Sequence, residues 1–185
     1  MQGRLLPKYK GNYQAHPVGY WQKEFEISQD IGLDCIEFIL DFNKADENPL
    51  LNKDGVEEIK ALVKKTGVKV HSICADYFMN APLHSINTEI SEQSQKIMLR
   101  LLDNAEILGV KDIVLPCVDN SSLNNSNAED YFVEQMIPIV RVAEEKKINI
   151  SLETDLAPDP FLKLLNRFSS NYVTVNYDIG NSAAL

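Results

Sequence analysis

The sequence predicts an α/β fold of the (β/α)8 TIM-barrel type, with about five to six βα units present. Three observations carry this. Short runs of β-branched and apolar residues alternate with longer segments of helical apolar period, the pattern of parallel strands joined by crossover helices. A helix–Gly–strand junction recurs at Ile31-Gly32, Thr66-Gly67 and Leu108-Gly109. No GxGxxG or GxxxxGK[ST] turn is present, so the glycine-rich signature of a doubly wound nucleotide-binding sheet is missing and the barrel is favoured.

The strands are expected at Asp34–Leu40, Val68–Ala75, Asp112–Val118, Ile148–Glu153 and Tyr172–Asp178, with a first-strand remnant at Met1–Leu5. The first and third are near-continuous apolar runs, as parallel strands covered on both faces require. Between them, Trp21, Phe25, Ile27 and Ile31 mark a first helix ending at Gly32. Gly55–Thr66 is a second, stopped by Gly67. Ser91 is expected to cap a third that runs to Gly109, with Ile97, Leu101, Ala105 and Leu108 along one side. Asn127–Lys147 and Pro160–Phe168 complete the set. A barrel of this type runs to about 250 residues, so residues 1–185 read as a single partial barrel domain lacking the C-terminal strands. Unpaired strand edges and uncovered core in an open barrel lead us to expect a homo-oligomer or poor solubility.

Counting 18 basic against 27 acidic residues gives a net charge of −9. That balance argues against nucleic acid or an anionic membrane as the main partner, since both reward a basic face. It does not exclude a small phosphorylated substrate, which needs only local donors. Cys35, Cys74 and Cys117 show no CxxC or Cys/His ligand spacing and are expected to be free, buried thiols. With no apolar signal core and no membrane-length apolar stretch, the expected location is the cytoplasm.

Two expected strands end in a carboxylate where the next loop begins: Glu153 after Ile148–Leu152, and Asp178 after Tyr172–Tyr177. In a barrel both face the C-terminal mouth, where barrel enzymes place their chemistry. A partly buried, unpaired acid costs several kcal/mol, so Glu153 calls for a metal, an arginine or a substrate hydroxyl, or else a barrel-end salt bridge. Asp178 precedes Ile179-Gly180 and has its own bland account as a loop cap. Converging together, hard carboxylates suit Mg, Mn or Co. His71 lies in an apolar strand, as a hydrogen-bonded core residue or as a ligand. Glu37 interrupts Cys35–Leu40, and facing inward it meets a sugar hydroxyl or a basic group. Asp76 is a substrate-facing acid or a helix cap, and the loop 119–125 is a solvated connector or a source of hydroxyl and phosphate donors.

An ordered set of segments resembles the xylose-isomerase-like superfamily of sugar and sugar-phosphate isomerases and epimerases. The segments are Met1–Leu5, Trp21 with Glu24-Phe25, Gly32–Glu37, Val70–Ala75, Gly109–Lys111, Ile150–Thr154 and Asn176–Asn181. The resemblance implies a divalent metal (Mn, Mg, Co or Zn) bound by Glu153 and Asp178, with Glu153 also acting as acid/base. It implies substrate contacts from His71, Glu37 and Asn181. The Asp178-Ile179-Gly180-Asn181 form is similar to the sugar-phosphate branch of the family. The implied chemistry is proton transfer next to a carbonyl through an enediolate. The family's remaining metal ligands and second acid/base belong to later strands, so weak metal binding and little turnover are expected of these 185 residues alone. Two other readings stand beside this one. A non-catalytic sugar-phosphate-binding or interaction fragment is the first. Endonuclease-IV-like phosphodiester cleavage is the second, and three His and a charge of −9 count against it.

Overall fold

The apolar runs become five parallel strands in one sheet: β1 Cys35–Ile39, β2 Lys69–Cys74, β3 Asp112–Cys117, β4 Asn149–Thr154 and β5 Val173–Val175. Their spatial order is their chain order. An open doubly wound sheet reverses its order at a switch point, whereas an unbroken sequential order with right-handed crossovers is that of barrel staves. The computed structural model describes residues 2–179. Its helices are α1 Lys23–Asp30, α2 Lys53–Thr66, α3 Tyr77–Asn80, α4 Thr88–Leu108, α5 Ser126–Lys146 and α6 Pro158–Leu165.

Strand alternation sorts the two faces. Phe38, Val70, Ile73, Leu115, Ile150 and Leu152 join the buried core shared with Phe25, Ile59, Leu101 and Phe132 of the helices. The opposite face is polar and internally bonded. Ser72 Oγ donates to Glu37 Oε2 at 2.8 Å, Asn149 Nδ2 donates to Asp112 Oδ1 at 2.8 Å, and the Ser151 and Thr174 hydroxyls lie 2.8 Å apart. Buried Asn48 ties the loop after β1, donating to Ile39 O at 2.9 Å and accepting from Leu50 N at 3.0 Å.

Several boundaries differ from expectation for identifiable reasons. The strand expected over Tyr172–Asp178 is paired only over Val173–Val175, which leaves Asp178 in the following loop. Helix α4 starts at Thr88 under an Asn87 cap; Ser91 lies inside the helix, buried, with its hydroxyl donating to Leu83 O at 2.5 Å. Gly67 and Gly109 do end α2 and α4, at φ 77° and 74°, a left-handed conformation that costs glycine little. Cys35 is exposed, at the very start of β1, while Cys74 and Cys117 are buried. No described helix is long and apolar enough to cross a membrane.

Gln2–Leu5 form turns rather than the expected strand. Gly3 takes φ 83°, and the Glu24 carboxylate accepts from Gly3 N at 2.6 Å and Leu5 N at 3.2 Å. Those two N–H groups are thus diverted from any ladder. Gln2 still borders β1 in a strand-like way: its N–H donates to Glu37 O at 2.6 Å, and Ile39 N donates to its side-chain oxygen at 3.1 Å.

Candidate active site

A cavity of ≈ 210 Å³ lies at the C-terminal ends of the strands, lined by Cys74 and Asp76 after β2, Pro116, Val118 and Asp119 after β3, Glu153 on β4, and Asp178 after β5. Arg4, Gln14 and Met79 close it from the sides. Register explains the convergence. Pro116 pairs with Glu153, and Asn176 N donates to Leu152 O at 2.8 Å, carrying the β5 alignment one residue beyond the strand. Asn176 therefore falls beside Glu153, and its Nδ2 donates to Glu153 Oε2 at 2.6 Å.

The electrostatics favour a cation or a proton. Burial raises the Glu153 pKa first of all; the Asn176 hydrogen bond lowers it, and the charges of Asp178, Asp76 and Glu37 raise it again. Asp76 is raised as well, chiefly by burial, against the lowering effect of donors from Cys74 and Gln14. The Cys74 thiol donates to Asp76 Oδ1 at 3.0 Å, and burial pushes its own pKa up, so it acts as a neutral donor and not as a nucleophile. Asp76, Asp119, Glu153 and Asp178 face one described cation, Arg4.

Of the residues singled out in the sequence, Glu153, Asp178 and Asp76 come together in this cavity, with Asp119 from the loop 119–125; Asp76 makes no side-chain cap to α3. Glu37 lies on the same inner face, held by Ser72, near enough for its charge to act on Glu153 but outside the described lining. His71 is exposed and also outside the lining, so it is not a core histidine. It sits in the register shift where Ile36 pairs with Val70 and Glu37 with Ser72, and its carbonyl accepts from Lys111 N. Asn181 lies outside the described residues. Sequence reasoning did not single out Cys74, Arg4 or Gln14. Their role follows from the turns of the N-terminal segment and from the Cys74–Asp76 spacing, neither of which carries a local pattern.

The donor chemistry suits a hard divalent cation, since Glu153 and Asp178 offer carboxylate oxygens. The number falls short: among the described residues no group of three or more His, Cys, Asp or Glu is gathered to hold a metal ion.

A sequential parallel sheet with acids at its C-terminal mouth defines an α/β fold of the TIM-barrel type. Residues 25–184 match the family described as xylose isomerase-like TIM barrel, and the chain belongs to that family. It is similar to SgbU of Haemophilus influenzae, provisionally named as an L-ribulose-5-phosphate 3-epimerase, with 25% identity over 89% of this chain and 60% of that protein. A xylose isomerase-like TIM barrel protein from Mycobacterium smegmatis, in complex with magnesium, superposes with TM-score 0.67 at 19% identity, over 97% of this chain and 62% of that one. D-psicose 3-epimerase from Clostridium cellulolyticum H10, solved with D-tagatose, gives TM-score 0.67 at 16% identity, over 85% and 57%. This chain thus spans about 60% of the length of the curated relative it matches.

Proposed function

We propose that these residues form the carboxylate half of a sugar isomerase or epimerase site, acting on a ketose, free or phosphorylated. The observation that carries the reading is the pairing of Glu153 with Asp178 in one cavity at the strand ends, with Glu153 oriented by Asn176. The name of the H. influenzae relative supports a sugar-phosphate substrate, and Arg4 is the described cation that a phosphate would meet.

In this reading the raised pKa of Glu153 suits it to take a proton from the carbon next to the carbonyl, for a second group to return one. Asn176 donates to one carboxylate oxygen and so helps to orient the group at the cavity wall. Return to the same carbon from the opposite face gives epimerisation, and return to the adjacent carbon gives isomerisation. Both need a second acid. A divalent cation held by Glu153 and Asp178 would polarise the ketose oxygens. The alternative of a non-catalytic sugar-phosphate-binding or interaction fragment is favoured by one observation: among the described residues no group of three or more His, Cys, Asp or Glu is gathered to hold a metal ion.

The test is solvent-deuterium exchange into L-ribulose 5-phosphate in the presence of magnesium, on the wild type and on Glu153→Gln. Any exchange at the carbon beside the carbonyl, however slow, is expected to vanish in the variant. Exchange that survives Glu153→Gln unchanged would sink the assignment of the base.

A further inference from the structure

A second cavity, of ≈ 620 Å³, opens beside the first and shares Asp119 with it. One side is the loop after β3 and the start of α5, and His84 and Ile86 also line it. Its size falls within the range of about 300–1,000 Å³ typical of small-ligand sites.

The lining selects a type of ligand. Asn120 and Asn127 contribute carboxamides; of their neighbours in the lining, Ser122 Oγ donates to Asp155 Oδ1 at 2.9 Å and Asn124 Oδ1 accepts from Asn125 Nδ2 at 3.0 Å. Asn120 and Asn127 are exposed, and no hydrogen bond to another described residue occupies their amides. A carboxamide both donates and accepts and carries no charge, so the Asn120 and Asn127 amides suit the hydroxyls of a neutral sugar. An anion finds little there. No Lys or Arg is among the described lining residues, Asp119 is itself acidic, and burial lowers the His84 pKa so that its ring is neutral at pH 7. The start of α5, which would otherwise attract an anion, is already capped: Ala128 N donates to Asn125 Oδ1 at 3.0 Å.

The loop is also held in place. Buried Ser121 accepts from Val118 N at 3.2 Å, and its hydroxyl lies 2.9 Å from Val118 O and 3.1 Å from Pro116 O. Ile86 is fully exposed at 101%, an apolar surface against which the C–H face of a sugar ring packs.

We infer that this groove is a subsite for a neutral glycosyl substituent on the sugar held in the adjoining cavity, so that the substrate class extends to ketosyl glycosides. The inference rests on the sugar-site reading above. Three probes share one ketose and differ only at its 6-oxygen: D-fructose, D-fructose 6-phosphate and isomaltulose, which carries a glucosyl group there. Binding to the 185-residue chain is measured by calorimetry with magnesium present. Isomaltulose is expected to bind roughly tenfold more tightly than fructose, the effect of one or two added hydrogen bonds. The exposed double variant Asn120→Ala/Asn127→Ala, and separately Ile86→Ser, should remove that gain and leave fructose and fructose 6-phosphate binding unchanged. Circular dichroism checks that each variant is folded. Isomaltulose no tighter than fructose, or variants that weaken all three probes alike, would overturn the subsite while leaving the sugar site standing. A phosphate gain lost in the double variant would replace it with an anion site. Binding of none of the probes would remove the sugar-site reading and this inference with it.

Discussion

Lowering the pH should destabilise this protein through His16. The ring is 2% exposed, packed near Trp21 and Phe38 with centroids at 6.2 and 5.7 Å, and its Nδ1 lies 3.3 Å from Gln2 Oε1. Gln2 Oε1 is an acceptor, so Nδ1 carries the proton of the neutral ring and Nε2 is left buried with no partner among the described residues. Protonating Nε2 would bury an unsatisfied charged N–H, and burial accordingly lowers the pKa from 6.5 to about 4, opposed by the charge of Glu47. Between those values the unfolded chain holds the extra proton and the folded chain does not, so stability falls as pH falls. The contribution is complete above pH 6.5 and is lost on descending toward pH 4. One pKa unit corresponds to about 1.4 kcal/mol, so going from pH 7.5 to 4.5 should cost about 2–3 kcal/mol through this residue. The raised carboxyls Glu24, Asp76 and Glu153 act in the opposite direction, so the effect must be isolated. Urea unfolding of wild type and His16→Asn, which keeps a donor toward Gln2, at both pH values does so. The wild type should lose about 2–3 kcal/mol more than the variant. Equal losses would show that His16 is not held neutral by its surroundings.

Three further outcomes are expected. Asn176→Ala removes the donor that lowers the Glu153 pKa, so the Glu153 carboxyl should titrate at higher pH than in the wild type; an unchanged or lower midpoint by carboxyl NMR contradicts the contact. Asn48→Ala strips partners from Ile39 O and Leu50 N in a buried site and should cost about 2–4 kcal/mol in urea unfolding, whereas a change below about 0.5 kcal/mol would be that of an ordinary surface position. A disulfide reagent should label Cys35 in the native protein and reach Cys74 and Cys117 only on unfolding; rapid native labelling of either buried thiol contradicts the packing.

The fold is largely legible in the sequence because it is built from local signals. The glycines at 32, 67 and 109 sit where positive φ ends each helix, and the apolar runs Ile113–Cys117 and Ile148–Leu152 become covered parallel strands. Glu153 and Asp178 are legible for the same reason: strand-end position is a matter of chain order. What escapes is tertiary. Ser91 has the chemistry of a cap, but Asn87 reaches the free N–H first. Met1–Leu5 looks like a strand until the buried carboxylate of Glu24, from α1, takes its amides. His71 lies inside an apolar pattern yet ends up exposed, because the register shift against β1 interrupts the alternation there. Asp76 is legible as a strand-end acid, but its hydrogen bonds to Cys74 and to Gln14, the latter 62 residues away in sequence, are not.

The central claim is that the cavity between Glu153 and Asp178 receives a ketose. Its most direct test is a titration of the chain with L-ribulose 5-phosphate, in the presence of magnesium, followed by side-chain NMR. The account predicts that the Asn176 amide and the Glu153, Asp76 and Asp178 carboxyls shift together along one saturating curve, and that Glu153→Gln weakens that curve markedly. Shifts confined to other surfaces, or a curve indifferent to Glu153→Gln, would contradict it.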